Sequence, residues 1–369
     1  VVTRNDGGVG IILVVTGAQL PIGRRVVIAA LAEPGVDRVI AVGADPDPRR
    51  LVKEHGDGAE LVVAPFALDD ARLASLVSDA AHLILLGPRE GLDIDGTGGS
   101  DIDLVATRAF LATLAGVAQI TTMAVLSSAL VYGARPENPV PLTESAAVRP
   151  NSLIGAATQR AELEHLCSVW AASQRATCAI MRPCVVVGPE NEKWLARSPW
   201  STAGLLVSGG LAPVQFVHLD DLTTAIIEVC RARYNGPINV APDGWLSVND
   251  VRALKGPAAR LRLGRSLAHG LARLGERFGV AASDPDILVA TTAPWVVDNA
   301  KLRSLGWIPT QSNEEAYVDS DRGSAWSRLP PPDRQKLLLG VAGCIGVALI
   351  ATATAFVRKK FTESHSPAR

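Results

Sequence analysis

Aromatic residues make up only 4% of this chain, and its three tyrosines are Tyr132, Tyr234 and Tyr317. The core is therefore aliphatic, rich in Ala, Val and Leu. No lysine stands between Lys53 and Lys193, so that long stretch holds no amine for a proton relay. Cysteine is sparse and unpatterned. Cys167, Cys178, Cys184, Cys230 and Cys344 are odd in number, with no Cys-x-x-Cys spacing. This argues against a disulfide framework or a zinc site and suits a reducing compartment. The formal net charge is only −1, so no general attraction to nucleic acid or anionic lipid follows. The polar N-terminus, VVTRNDGGVG, has no secretory apolar core, which argues against export. No internal repeat is present.

What is present begins at Ile11. Ile11 to Val15 is an unbroken apolar run, mostly β-branched, and reads as a strand buried on both faces of a parallel sheet. Thr16 and Gly17 make a turn, and Ile22 to Leu31 opens a helix. A strand, a glycine turn and a helix N-terminus form an anion site, because free N–H groups and the helix dipole both point at the turn. The expected guest is the pyrophosphate of a dinucleotide. Further strands are expected at Arg38–Val42, Ala59–Val63, His82–Leu86, Thr122–Leu126, Thr177–Met181 and Val185–Val187. Helices are expected at Asp69–Val77, Asp103–Ala115 and Ala156–Ala172. That alternation is the pattern of right-handed βαβ units, hence a doubly wound α/β fold.

Beyond Gly188 the alternation is lost. Val214–Leu219 and Ile238–Val240 read as strands, and Asp220–Cys230 as a helix capped by Asp221 or its neighbour. Ser247 opens a Ser-x-x-Asp capping pattern over Ser247–Leu254. Leu261–Phe278 reads as a basic amphipathic helix with a solvated polar face. Asp93, Asp95, Asp101 and Asp103 lack an EF-hand spacing and read as a solvated loop, so no metal is expected.

Leu337 to Val357 is 21 residues without a charge, long enough to span a bilayer core of ~30 Å. It follows a Pro-rich linker and reads as one transmembrane helix. Charges on its two sides nearly balance, so the positive-inside rule does not orient it. A nucleotide fold belongs in the cytoplasm, which gives the expected single-pass topology in the cytoplasmic membrane. The expected partners are a dinucleotide, the bilayer through 337–357 and other membrane proteins, with no nucleic acid.

Several stretches in order resemble the extended short-chain dehydrogenase/reductases, the NAD-dependent epimerase/dehydratase group. Thr16-Gly17-Ala18 with Gly23 resembles the cofactor turn, although the middle glycine of the pattern is Leu20. Ser127-Ser128-Ala-Leu-Val-Tyr-Gly133 resembles the serine strand with its Val-Tyr-Gly turn. Arg182-Pro183-Cys-Val-Val-Val-Gly188-Pro189 and Phe216-Val-His-Leu-Asp-Asp221 resemble two later segments. Asp298-Asn-Ala-Lys301 through Gly306-Trp307-Ile-Pro309 is similar to the C-terminal signature. The resemblance implies a Rossmann domain over 11–187 after a flexible 1–10, and a smaller C-terminal α/β domain over 188–321 that shares strands with it. A linker (322–336), the membrane helix (337–357) and a basic tail (358–369) follow. It further implies NAD or NADP as cofactor, with contacts at Gly17, Ala18, Leu20, Pro21, Ile22, Gly23, Asp45, Gly87 and Pro183.

The chemistry carries over less well. The group uses a Tyr whose pKa is lowered by a Lys four residues on, aided by a Ser. The Ser falls on Ser128, but the Tyr and Lys fall on Ile154 and Thr158, neither of which shuttles a proton at neutral pH. Tyr132 lies in the wrong turn and is expected to pack below the site. The acid that holds the adenosine ribose in this group falls on Gly43, with Asp45 two residues late and Arg49 and Arg50 beyond. Two functions stay open. One is a degenerate member that binds a dinucleotide or scaffolds a membrane assembly. The other is an NAD(P)-dependent sugar-nucleotide or lipid-linked epimerase, dehydratase or reductase with an atypical acid/base. His218 is expected to be structural, and Asp220 and Asp221, being adjacent, are not expected to form a dyad.

Overall fold

The apolar run at the start of the chain forms an interior strand of a seven-stranded sheet. In this computed structural model the described residues are 10–43, 59–87, 104–152, 154–188, 205–207, 212–255, 261–263, 290 and 293–321. Asp45, Arg49, Arg50, the loop 91–100, the N-terminal 1–9, the linker 322–336, the apolar run 337–357 and the tail 358–369 lie outside them. Among the described residues no helix is long and apolar enough to cross a membrane.

In chain order the elements are β1 (Ile11–Thr16), α1 (Pro21–Leu31), β2 (Val36–Val42), β3 (Glu60–Ala64), α2 (Leu73–Leu76), β4 (His82–Leu85), α3 (Leu104–Val117) and β5 (Thr122–Leu126). Then come a 3-10 turn (Ala129–Tyr132), α4 (Gly155–Gln174), β6 (Thr177–Pro183), β7 (Val185–Val187), β8 (Leu205–Val207), β9 (Phe216–His218) and α5 (Leu219–Arg231). The last are β10 (Gly236–Val240), α6 (Val248–Lys255), β11 (Leu261–Leu263), α7 (Ala300–Ser304) and α8 (Asn313–Asp321).

The main sheet runs β10-β6-β5-β4-β1-β2-β3, and the pairs given are all parallel. After β3 the chain crosses back over β1 to β4, so strand order reverses between β1 and β4. A ligand in such a sheet sits outside the carboxyl ends of the strands at that reversal. The inner strands β1, β4 and β5 are buried on both sides, as their continuous apolar runs require, while the edge strand β3 is only partly buried. Leu13 and Val15 face a core with Val26, Val27 and Ala30 of α1 and Leu222 and Ile226 of α5. Val14 faces the opposite core with Phe110 and Leu114 of α3 and Leu163 and Cys167 of α4. Each such fully buried aliphatic or aromatic side chain contributes about 1.5–3 kcal/mol.

Four local expectations are corrected. The helix expected over Asp69–Val77 shrinks to Leu73–Leu76. Asp70 accepts the Arg72 N–H at 2.9 Å and the Arg72 guanidinium at 2.6 Å, and such local bonds compete with helix formation. The N-cap of α5 is His218, not Asp221 or Asp220, with Nδ1 accepting the Asp220 N–H at 3.2 Å. Leu261–Leu263, expected to start a helix, is a strand paired in parallel with Leu205–Val207. The rest of the expected helix, 264–278, lies outside the described residues, and the strand expected over Val214–Leu219 is confined to Phe216–His218. Ser247 and Asp250 cap each other reciprocally: the Ser247 N–H donates to Oδ2 at 2.8 Å, and the Asp250 N–H donates to Oγ at 3.3 Å.

The C-terminal signature is held by Asp221. Its carboxylate accepts the Thr310 N–H at 2.8 Å, the Thr310 hydroxyl at 2.6 Å and the Gln311 N–H at 3.0 Å. Trp307 donates its indole N–H to the Asp221 carbonyl at 3.2 Å and to Thr224 Oγ1 at 3.0 Å. Residues 307–311 are thereby fastened to α5, and α5 packs on α1 beside the reversal point.

Candidate functional site

The carboxyl end of β1 is tied to that of β4 by one side chain. Thr16 Oγ1 donates to the Leu86 carbonyl at 2.7 Å and accepts the Leu86 N–H at 2.9 Å. Gly17 then turns with φ of 65°, and a Cβ there would lie 2.5 Å from the Gly87 carbonyl oxygen. Only glycine tolerates both the left-handed backbone and that approach. A Cβ on Gly23 would run into the Gly17 carbonyl, so α1 packs against the turn more closely than any side chain allows. These two glycines do what the first and third glycines of a dinucleotide turn do.

Leu20 caps α1 without a side-chain acceptor, and Pro21 takes the first helical position. The first-turn N–H groups of Ile22 and Gly23 are left with no capping side chain, at the positive end of the helix dipole. Leu20 itself is 3% exposed and belongs to the core under α1. Its side chain turns inward, away from the space in front of the turn. Ala18 is fully buried, and its N–H donates to the Val42 carbonyl at 3.1 Å, laying the turn along the end of β2. Gly87 closes the β4 side and Pro183 ends β6. The residues present fit a phosphate-bearing guest at this turn. Asp45 lies outside the described residues.

The two serines at the end of β5 part company. Ser128 Oγ accepts the Leu130 N–H at 3.2 Å and caps the 3-10 turn. Ser127 is fully buried and donates to Glu164 Oε1 at 2.5 Å. Glu164 is gripped at both oxygens by Arg182, whose Nε donates at 3.0 Å and whose Nη2 donates at 2.6 Å. Arg182 Nη1 donates to the Tyr132 hydroxyl at 2.9 Å, and that hydroxyl donates to Asn239 Oδ1 at 2.8 Å. The Asn239 N–H donates to Glu144 at 3.0 Å, and Lys301 Nζ stands 3.8 Å from the same carboxylate. A polar chain thus crosses the core from β5 to α7, with good partners at each buried group.

Burial pushes the Tyr132 phenol above its ordinary range, against the opposing pull of Arg182. Burial works against the Arg182 cation, but Glu164 outweighs it and holds the guanidinium charged. Tyr132 is 1% exposed and fully engaged, and it packs beneath the serine end of β5. Ile154, at the N-cap of α4, is 3% exposed and apolar. Thr158, one turn on, lines a groove between α3 and α4 with Leu104, Arg108 and His165. Glu164, Asn239 and Glu144 were not singled out from sequence, and Ser127 only as part of the serine strand. The available signal was Glu164 among Leu163, Leu166 and Cys167 on a helix, a charge on an apolar face that calls for a buried partner. His218 is 3% exposed and acts as a cap, and Asp220 and Asp221 point apart, one to Arg25 and one to Thr310.

Comparison with known proteins places this geometry. A family model described as the NAD dependent epimerase/dehydratase family matches residues 13–241. Uncharacterized proteins of Mycobacterium tuberculosis and Mycobacterium bovis are 23% identical over 348 residues, covering 91% of this chain and 90% of theirs. Among solved structures, a dTDP-glucose 4,6-dehydratase from Streptomyces venezuelae with NAD and TYD bound is similar with a TM-score of 0.62. It is 17% identical and covers 85% of this chain and 96% of its own. A UDP-glucose 4-epimerase from Thermotoga maritima with UDP-glucose has a TM-score of 0.59 at 17% identity, covering 84% of this chain and 97% of its own. At these identities the likeness is one of fold.

Proposed function

The chain belongs to the NAD dependent epimerase/dehydratase family, and from that premise we propose that it is a membrane-anchored, NAD(P)-binding member that serves as a nucleotide-binding or scaffolding subunit without the usual hydride transfer. The pyrophosphate is held by Gly17, Ala18, Leu20, Pro21, Ile22 and Gly23, the adenosine side by the segment carrying Asp45, and the nicotinamide side by Gly87 and Pro183. Ser128 is the remnant of the catalytic set. When bound, the dinucleotide supplies a hydride donor or acceptor. A hydride step also needs a protein group to give or take the alcohol proton.

One observation carries the reading. Ile154, buried at the cap of α4, stands where the resemblance expects the tyrosine, and Thr158 turns toward α3 where it expects the lysine. Tyr132 is no substitute, because its hydroxyl is spent on Arg182 and Asn239 inside the core. The NAD- and sugar-nucleotide-bound relatives support a binding role for the turn that remains.

The test is a titration of the full chain in detergent with NADH and NADPH, followed by nicotinamide fluorescence. Saturable binding is expected, with no hydride exchange in the presence of UDP- or dTDP-sugars. Absence of binding at about 1 mM, a free energy near 4 kcal/mol, would leave a scaffold alone. Hydride exchange would restore the alternative of an active sugar-nucleotide or lipid-linked enzyme with an atypical acid. The anchor rests on the uncharged run 337–357. Carbonate-resistant membrane association, lost when residues 337–369 are deleted, is the expected result, with the globular part on the cytoplasmic side.

A further inference from the structure

The amino end of the sheet, opposite the glycine turn, carries polar groups that the core leaves unbonded. Leu13, His82 and Thr122 are register partners in β1, β4 and β5. Register partners on neighbouring strands share a face of the sheet, so all three face the core that Leu13 forms with α1 and α5. His82 is 8% exposed, and among the described residues its ring nitrogens have no hydrogen-bond partner. The Thr122 hydroxyl beside it is buried and also unpartnered. Buried polar groups are nearly always bonded, so two open neighbours point to a guest.

A cavity of about 80 Å³ opens against His82. The buried side chains of Ile11, Leu13, Ile84 and Ile227 give it an apolar floor. Two exposed arginines stand at its rim. Arg231 is engaged by Glu33 at 2.8 and 3.0 Å and by Glu228 at 2.8 Å, so its charge is neutralised there. Arg233, just past the end of α5, has no hydrogen bond or ion pair from its side chain among the described residues. One uncompensated positive charge is left at the mouth. Burial pushes the Cys230 thiol, also in the lining, up to about 12, so it is a neutral wall and not a nucleophile.

We propose that this cavity binds a short aliphatic monocarboxylate, with its alkyl tail on the Ile11, Leu13, Ile84 and Ile227 floor and its carboxylate between the His82 ring and the Arg233 guanidinium. A cavity of about 150 Å³ takes benzene, so one of about half that volume takes a tail of about three carbons. The imidazole N–H and the guanidinium both donate to a carboxylate, and the single free cation matches a single negative charge. The site lies at the other end of β1 from Gly17 and does not depend on the dinucleotide reading.

The experiment titrates the full chain in lipid nanodiscs by calorimetry with butyrate, acetate, butyramide and inorganic phosphate. Butyrate should saturate with a Kd of about 1 mM, about tenfold tighter than acetate, which lacks the tail, and than butyramide, which lacks the charge. Arg233 has φ of 47°, a backbone that Asn tolerates, so Arg233→Asn removes the charge without added strain. That variant should weaken butyrate by about fivefold or more and leave butyramide unchanged. The His82 ring-carbon resonance, identified by its loss in His82→Gln, should shift along the butyrate saturation curve. Saturating NADPH should leave butyrate affinity unchanged. No saturation by about 50 mM overturns the site. Equal affinity for butyrate, acetate and phosphate reduces it to an anion on a surface arginine and overturns it too. An unaffected Arg233→Asn, a static His82 resonance or competition with NADPH does the same, by placing the carboxylate elsewhere.

Discussion

Arg182 and Glu164 face each other as a two-pronged ion pair with their side chains only 6% and 7% exposed. The pair joins the end of β6 to the middle of α4 and has Ser127 on one side and Tyr132 on the other. Both charges are bonded on every side the structure shows, which is the condition under which a buried pair holds together.

Glu164→Gln removes the anion and leaves the Arg182 cation buried. Truncating one member of such a pair costs about 3–5 kcal/mol, and equilibrium denaturation in urea should read a loss of that size. Arg182→Met combined with Glu164→Leu, which removes both charges, should cost less than the single change. A double variant as unstable as the single one would argue that packing, not charge, is what matters there.

His82 sets a pH dependence. Burial first, and then the nearby Arg233 cation, hold its pKa down at about 4, below the ordinary histidine value of 6.5. The unfolded chain takes up the proton at higher pH than the native one. Stability is therefore full above pH 6.5 and falls as the pH drops toward 4, by at most about 3 kcal/mol at 1.36 kcal/mol per unit. His82→Leu should flatten the difference between pH 7 and pH 4.5 relative to the parent, measured by urea midpoints. An unchanged slope would refute the assignment.

Gly23→Ala places a methyl against the Gly17 carbonyl and pushes α1 away from its turn. A loss of about 1–3 kcal/mol in stability is expected from the overpacking. Because the same contact shapes the phosphate turn, NADPH and NADH affinity should fall together. Isothermal titration beside the denaturation curve checks both.

Ser128→Ala removes the acceptor that caps the 3-10 turn. The expected cost is about 1 kcal/mol by thermal unfolding. Dinucleotide affinity should stay within about twofold, since this hydroxyl contributes through the turn it caps. A large loss of affinity without loss of stability would show instead that it meets the cofactor directly.

Much of the scaffold can be read from the chain in order. The run Ile11–Val15 has no polar residue, which leaves a strand nowhere to lie except between two layers. Gly17 and Gly23 mark a turn that only glycine can make, and Ser247 with Asp250 announces a helix start. Shorter signals mislead, as at Asp70, whose own side chain breaks the helix that its neighbours' spacing suggests. Leu261–Leu263 pairs with Leu205–Val207 more than fifty residues upstream, and local periodicity carries no trace of such a partner.

The order of residues alone determined that no Tyr is followed by Lys four positions on, because folding cannot change a spacing along the chain. It likewise determined an aliphatic parallel sheet and an uncharged run long enough for a bilayer. Where Leu20 points, which serine meets a carboxylate, and that Gln19 lies over Gly43 were decided only by tertiary structure. Those outcomes depend on distances between elements far apart in the chain, set by how α1, α4 and β6 pack on the sheet, and packing is a property of the assembled core rather than of any segment in it.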